Sequence, residues 1–260
     1  MFSEADAYER FMGRWSRLLA PSLVDFSEVR EGEAVLDVGT GTGALAFAVR
    51  DATKTAKVTG IDPSPAYVAH AKDRNTDRRV QFATGDAQAL SFSDAQFDRT
   101  MSLLVVNFIP DRERALKEMI RVTKPGGIVS AAVWDYGEGM EMLRVFWDAA
   151  VQLDRAAATR DEVDMPLCKK GELAAAWRQA GLHDVRETSL RATLRFSSFD
   201  DYWEPFRLGQ GPAGAYVARL PSERQMELRE RLRRRLLGAE TDHPIELQAS
   251  AWAVRGTKRE

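Results

Sequence analysis

Three glycines and two carboxylates in the first third of the chain have the spacing of a ligand site. Gly39, Gly41 and Gly43 follow a short apolar run at residues 34–38 and precede a second apolar stretch. This order predicts a buried parallel strand, a glycine turn and a helix. Glycine has no Cβ and takes positive φ freely, so the backbone there can lie close against a ligand. The helix directs unpaired N–H groups and the positive end of its dipole to the same place, which predicts a nucleotide-type site.

Asp37, two residues before the first glycine, helps to choose between ligand classes. Gly39, Gly41 and Ala44 also fit the dinucleotide fingerprint G-x-G-x-x-G/A. A carboxylate at position 37 would face a diphosphate across a short gap and repel it, whereas it suits a cationic or amino-bearing ligand. The alternative for Asp37 is a helix cap or turn cap.

Asp62 is the second carboxylate, at the end of a predicted strand over residues 57–61. It lies about 20 positions after Gly41, where doubly wound nucleotide folds carry the acid that binds the ribose hydroxyls. A carboxylate only accepts hydrogen bonds, so it can take both hydroxyls at once. The alternative is capping of the next helix, but Ser64 can serve as that cap and leave Asp62 free.

With Asp37 ahead of its glycines, the sequence resembles the class I S-adenosylmethionine-dependent methyltransferases, whose first motif is an acidic residue followed by G-x-G-x-G. The resemblance continues at Gly85-Asp86-Ala87 and at the K-P-G-G turn of residues 124–127. It covers residues 30–135, the predicted cofactor-binding core, by motif and the rest by general plan. It implies S-adenosylmethionine as the cofactor and S-adenosylhomocysteine as the product. The nearest group is that of small-molecule and quinone-pathway methyltransferases.

The resemblance also implies roles for single residues. Asp86 would accept a hydrogen bond from the adenine amino group and the N–H of Ala87 would reach a ring nitrogen, beside an apolar wall from Leu90 and Phe92. The alternative for Asp86 is an ordinary Gly-Asp turn. The carbonyl of Leu103 would hold the cofactor's amino group. The predicted cofactor-binding residues are Asp37, Gly39, Thr40, Gly41, Gly43, Asp62, Pro63, Asp86, Ala87, Leu103, Tyr8 and Arg14.

No residue of the motif region is predicted to be catalytic. Many relatives have a histidine near position 107 or 108, and this chain has Asn107 and Phe108 instead. Asn107 is either a binding residue or a capping residue before Pro110. Methyl transfer can work largely by proximity and alignment, and a general base is needed only if the acceptor must lose a proton.

The elements that position these residues follow from the apolar periodicity. Residues 4–20 predict a helix that either packs on the sheet or covers the cofactor as a lid, and Gly13 predicts a break or a close contact within it. Its Tyr8 and Arg14 are the candidates for cofactor or substrate contact. Five parallel strands are predicted through residues 128–134, with the K-P-G-G segment as the turn before the fifth.

The rest of the chain predicts two more strands, at residues 185–196 and 249–254, with a helical cap inserted at residues 197–243. The aromatic residues Phe199, Tyr202, Trp203 and Phe206 either line an acceptor pocket or anchor this insertion. The predicted fold is therefore α/β: one domain over residues 1–260, with a doubly wound, seven-stranded, mostly parallel Rossmann-like sheet. The antiparallel last strand is the usual ending of the family it resembles.

Composition excludes several function classes. A net charge of −2 gives no electrostatic footprint for nucleic acid, and the single Cys168 excludes an intramolecular disulfide and a cysteine-based zinc site. No apolar run approaches the ~18–20 residues of a membrane helix. The polar, acidic first ten residues are unlike a signal peptide. We therefore expect a cytoplasmic protein without a metal.

The main hypothesis is an S-adenosylmethionine-dependent methyltransferase with a small-molecule acceptor, apolar or aromatic in view of the aromatic insertion. One alternative is an NAD-dependent oxidoreductase, which shares the glycine turn and Asp62 but leaves Asp37 and Asp86 unexplained. Another is a non-catalytic nucleoside-binding protein on the same fold. The oligomeric state is not predicted.

Overall fold

A computed structural model describes residues 4–260; residues 1–3, part of the polar start, lie outside the described residues. Seven strands form one sheet in the order β3-β2-β1-β4-β5-β7-β6. The first five are parallel, and β7 runs antiparallel to both of its neighbours. This confirms the predicted fold class. The strands are β1 Ala34–Val38, β2 Lys57–Asp62, β3 Val80–Thr84, β4 Phe97–Leu103, β5 Thr123–Trp134, β6 His183–Phe196 and β7 Ile245–Thr257.

Helices connect most of the successive parallel strands, as the doubly wound plan requires. The helices of the core and the last strand pair are α3 Ala44–Ala52, α4 Pro65–Arg74, α5 Arg112–Val122, α6 Glu141–Leu153 and α7 Glu172–Gln179. Short 3-10 helices are found at Val106–Phe108, Arg155–Arg160 and Glu162–Asp164. Among residues 4–260, no helix is both long enough and apolar enough to cross a membrane.

The N-terminal helix is longer than predicted and is interrupted. It consists of α1 Glu4–Tyr8, a π-helical turn Glu9–Gly13 and α2 Arg14–Phe26. The sequence predicted a break or a close contact at Gly13. The regular α-helix is interrupted by the π-helical turn that ends at Gly13, and a Cβ there would lie 2.7 Å from Oε1 of Glu9. π-helical turns inside α-helices are frequent at functional sites.

The K-P-G-G segment does not form a turn before the fifth strand, as the sequence predicted, but lies within β5. The register of β5 against β4 shifts between Phe97 and Arg99, so this part of the strand is irregular. Gly126 takes a positive φ of 74° there, and its N–H donates to the carbonyl of Lys258. Because this pairing involves the end of the chain, which is remote in sequence, the local sequence could indicate a turn but not the strand.

The predicted insertion between the last two strands is present as three helices. They are α8 Phe199–Arg207, α9 Gly211–Arg219 and α10 Ser222–Leu237. The four aromatic side chains at its start, Phe199, Tyr202, Trp203 and Phe206, are at most 2% exposed. The Phe206 ring stacks on Phe146 of α6 at 4.5 Å between centroids, and the Tyr202 hydroxyl donates to the Met142 carbonyl. Of the two alternatives, the structure favours anchoring of the insertion over lining of an open pocket.

Candidate active site

The glycine turn joins β1 to α3 in the way the motif predicted. Gly39, Gly41 and Gly43 have φ values of 74°, 54° and 94°, a region that side chains rarely adopt. A Cβ on Gly39 would lie 2.5 Å from Cγ1 of Val105, so the turn also lies tightly against the residues that follow β4. Both reasons require glycine at position 39, and the backbone at the turn is left without side chains that would cover it.

Asp37 is buried at the end of β1, with 1% of its surface exposed. Its Oδ2 accepts hydrogen bonds from the Thr40 hydroxyl at 2.6 Å and from the Ala46 N–H at 3.1 Å, whereas Oδ1 is buried without a partner among the described residues. Burial raises the pKa of Asp37 to about 7, against the two hydrogen bonds, which lower it, and with the charge of Asp62, which raises it. Asp37 thus acts as a cap with one oxygen and keeps the other available for a ligand.

Asp62 ends β2 beside the glycine turn, 7% exposed. Oδ2 accepts from the Gly41 N–H and Oδ1 from the Ser64 N–H, both at 2.9 Å. Ser64 caps α4, as the sequence predicted: its hydroxyl oxygen accepts a hydrogen bond from the Tyr67 N–H. Burial raises the pKa of Asp62, although both backbone hydrogen bonds lower it. Each carboxylate oxygen keeps a second lone pair, so the carboxylate is held in one orientation and still has acceptors for two hydroxyls.

Asp86 follows β3 and is exposed, so three acids follow one another along the carboxyl edges of β1, β2 and β3. Its carboxylate accepts hydrogen bonds from the backbone N–H and the side-chain amide of Gln88, two residues later. These bonds form a local turn. Leu90 is buried, and its carbonyl accepts a hydrogen bond from Arg121 of α5, which also donates to the Phe92 carbonyl. Phe92 instead packs edge-on against Phe97, the first residue of β4, at the opposite edge of the sheet. The structure therefore does not place Phe92 in an adenine wall.

The end of β4 carries the remaining predicted group, the carbonyl of Leu103. The next residue, Leu104, has a φ of 64° although it is not glycine, and such strained backbone is concentrated at functional sites. Asn107 follows, 3% exposed, and its Nδ2 has no acceptor among the described residues. An unpaired buried donor costs about 1–3 kcal/mol, so this amide favours the binding role over the capping role.

The two N-terminal candidates separate in the structure. The Tyr8 ring packs against Tyr67 of α4 at 5.3 Å between centroids, and burial, together with the charge of Asp62, raises its pKa against the hydrogen bond to Ser16. Tyr8 therefore lies beside the acids. Arg14 instead donates to both carboxylate oxygens of Asp201 on α8 at 2.8 and 3.2 Å. Its guanidinium ties the N-terminal helix to the insertion.

Sequence reasoning missed two buried or half-buried acids. Glu9 lies on the π-helical turn, where its carboxylate accepts a hydrogen bond from the Thr42 hydroxyl in the glycine turn. Glu162 is 5% exposed, accepts from the Trp147 indole, and burial raises its pKa to about 7. Neither acid belongs to a motif, and each meets its partner only through the tertiary fold. Among the described residues no His, Cys, Asp and Glu cluster could hold a metal ion.

Comparison with known proteins points to the same chemistry. Residues 36–131 match the family described as a methyltransferase domain. The chain is 38% identical over 122 residues to 2-methyl-6-phytyl-1,4-hydroquinone methyltransferase of Synechocystis, covering 46% of this chain and 38% of that one. It is 37% identical over 123 residues to the ubiquinone/menaquinone biosynthesis C-methyltransferase of Bdellovibrio bacteriovorus. This match covers 45% of this chain and 49% of that one. The alignments thus span less than half the length of these relatives.

A solved structure extends the likeness to nearly the whole fold. Phosphoethanolamine N-methyltransferase 2 of Haemonchus contortus, in complex with S-adenosyl-L-methionine, superposes with a TM-score of 0.60 at 20% identity, covering 98% of this chain and 57% of that one. At that identity the likeness shows the fold alone. Residues 36–131 therefore match the methyltransferase domain family, and the chain as a whole has the fold of this solved methyltransferase.

Proposed function

We propose that this protein binds S-adenosylmethionine and transfers its methyl group to a small molecule. The observation that carries the proposal is the Asp62 carboxylate, which two backbone N–H groups hold beside the glycine turn with acceptors left for a ribose. The unpartnered buried atoms Asp37 Oδ1 and Asn107 Nδ2 also fit a polar ligand, because each is costly unless a ligand pairs it.

The residues present divide the binding of such a cofactor among the ends of four strands, β1 to β4. Asp62 would accept from the ribose hydroxyls, and Asp86 would accept from the adenine amino group, as the family pattern implies. The glycine turn allows the ligand to approach the backbone at Gly41, where the Cβ position has no described atom within 4 Å, whereas Gly39 and Gly43 pack against Val105 and Phe47. Asp37 and the Leu103 carbonyl offer acceptors toward an amino group.

Bound S-adenosylmethionine supplies an electrophilic methyl group on a sulfonium. The protein's part is to hold the acceptor in line with that group and to keep water out, and such alignment lowers a barrier by up to ~7–11 kcal/mol. The Tyr8–Tyr67 contact lies beside these acids, and in this proposal the N-terminal helix that carries Tyr8 would shield the site from water. We propose that this helix covers the cofactor as a lid.

A small-molecule acceptor is supported by the relatives, since one is named as a hydroquinone methyltransferase and the other as a C-methyltransferase of ubiquinone/menaquinone biosynthesis. The aromatic insertion no longer supports it, because those rings are buried as an anchor. The NAD-dependent alternative finds no support, since the matching family and the relatives are methyltransferases.

Calorimetric titration with S-adenosylmethionine, S-adenosylhomocysteine and NAD tests the cofactor. We expect micromolar binding of the two adenosyl ligands and none of NAD. A radiolabelled methyl group then tests turnover against a panel of quinols, phenols and amines. Binding of NAD in place of the adenosyl ligands would overturn the proposal, and methylation of protein or RNA alone would overturn the small-molecule acceptor.

A further inference from the structure

The carboxylate of Glu9 lies beside the glycine turn, among one hydroxyl and two guanidinium groups. One oxygen accepts from the Thr42 hydroxyl, and the other pairs with Arg17 of α2. The guanidinium of Arg74, at the end of α4, is 3.6 Å from the same oxygen. Thr42 belongs to the glycine turn itself, so three separate elements converge on a single carboxylate.

The surrounding chain is shaped around this carboxylate. A Cβ on Gly13 would lie 2.7 Å from Oε1 of Glu9, so glycine at position 13 makes room for it. The Glu9 side chain is 16% exposed, whereas Arg17 and Arg74 are 43% and 45% exposed. Burial and then the positive charge of Arg74 lower the pKa of Arg17, so the two cations lie close enough to repel each other. Two like charges and a hydroxyl around one point form a site for an anion.

The position of this site relative to Asp62 indicates which anion it suits. The Asp62 carboxylate bonds the N–H of Gly41, the residue before Thr42. The ribose acid and the Thr42 hydroxyl are therefore neighbours along the same turn. A nucleoside bound at Asp62 that extends along the turn through an amino-acid chain would bring its α-carboxylate toward Thr42. Guanidinium groups suit a carboxylate because their N–H groups match its two oxygens.

We propose that Thr42, Arg17 and Arg74 form a carboxylate cradle for the amino-acid part of the adenosyl cofactor, and that Glu9 occupies this cradle in the structure as an internal competitor. The inference rests on the proposed function. Glu9 must leave the cradle when the ligand enters, and the N-terminal helix that carries it must shift. The measured affinity is then lowered by the fraction of molecules in which Glu9 holds the cradle.

Two probes separate this cradle from the rest of the site. S-adenosylhomocysteine carries the α-carboxylate, whereas 5′-methylthioadenosine has the same thioether nucleoside without the amino-acid part. Glu9→Gln removes the competing charge with little change in shape. By calorimetry we expect this variant to bind S-adenosylhomocysteine roughly ten-fold more tightly, because hydrogen bonds to charged groups are each worth about that factor. The affinity for 5′-methylthioadenosine should stay within about two-fold of the wild type.

The arginines are tested in the Glu9→Gln background, where the competitor no longer obscures them. Arg74→Met should weaken S-adenosylhomocysteine by about ten-fold and leave 5′-methylthioadenosine unchanged. Arg50→Met is the matched control, because Arg50 borders the same cleft but pairs with Asp51 instead of Glu9. It removes an equal charge and should change neither affinity.

The outcomes distinguish this inference from the proposed function. If Glu9→Gln tightens both probes equally, Glu9 only fastens the helix and the cradle does not exist. If Arg50→Met matches Arg74→Met, general electrostatics replaces the cradle as the explanation. Weaker binding of S-adenosylhomocysteine by Glu9→Gln also overturns the inference. If neither adenosyl probe binds any variant, the proposed function itself fails.

Discussion

Replacement of Asp62 by Asn separates the binding role of this residue from its structural role. The substitution keeps the size of the side chain and one acceptor oxygen. In the folded protein the two oxygens already accept from the N–H groups of Gly41 and Ser64. The amide NH₂ would therefore face one of these donors and would offer no acceptor to the ligand at that position. We expect the ribose to lose at least one hydrogen bond to a charged group.

The substitution should affect ligand affinity and protein stability differently. One hydrogen bond to a carboxylate is worth about 1.5–3 kcal/mol, so affinity for S-adenosylhomocysteine should fall by ten-fold or more. The free energy of unfolding should change little, because the loss of one backbone hydrogen bond offsets the removal of a buried charge. The pKa of Asp62 is raised because burial outweighs its hydrogen bonds, so the ionised carboxylate is a net cost to the folded state. Function is maintained here at the expense of stability.

The assay is calorimetric titration at neutral pH together with urea unfolding of the same samples. Asp98→Asn is the control. The Asp98 carboxylate, on β4, also accepts from a backbone N–H, that of Ala34 at 2.8 Å, but it lies at the start of β1, away from the glycine turn. This substitution should lower stability and leave affinity unchanged. Wild-type affinity should also fall on acidification through the raised pKa of Asp62, which the Asn variant should not reproduce. Unchanged affinity of Asp62→Asn would refute the reasoning.

Three further predictions concern neighbouring contacts. Because burial raises the pKa of Asp37 to about 7, its contribution to the free energy of unfolding is complete below about pH 4 and is lost toward pH 7, at up to about 1.4 kcal/mol per pH unit; urea unfolding across this range should show the loss in the wild type and not in Asp37→Asn. Gly39→Ala should cost about 1–3 kcal/mol of stability from its positive φ, plus the clash with Val105, and Val105→Ala in the same chain should recover only the clash; full recovery would show that φ contributes nothing. A double-mutant cycle on Arg14 and Asp201, both partly buried, should give a coupling of about 0.5–1 kcal/mol, and zero coupling would remove this tie between the N-terminal helix and the insertion.

The strand–turn–helix units were predictable because their signals are local. The glycines at 39, 41 and 43 need positive φ within one turn, and Asp62 ends the strand that the turn lies against. The prediction of a turn at residues 124–127 was wrong because the conformation of this segment is not set by local sequence. Its conformation depends on pairing with Lys258, far along the chain, which no local pattern reports.

The site shows the same division. Asp37 and Asp62 were found from spacing, and the structure adds which of their oxygens are already bonded. Phe92 was placed wrongly because a short loop carries no signal of the edge to which it returns.

The sequence by itself determined the class of fold, the glycine turn and the acids at three neighbouring strand ends, because each follows from the conformational needs of a few adjacent residues. The tertiary structure alone decided what the N-terminal helix and the insertion do. It brings Glu9 to Thr42 and Arg14 to Asp201 across 33 and 187 positions of sequence. Contacts between such distant residues depend on how whole elements pack, and the aromatic residues of the insertion became an anchor for the same reason.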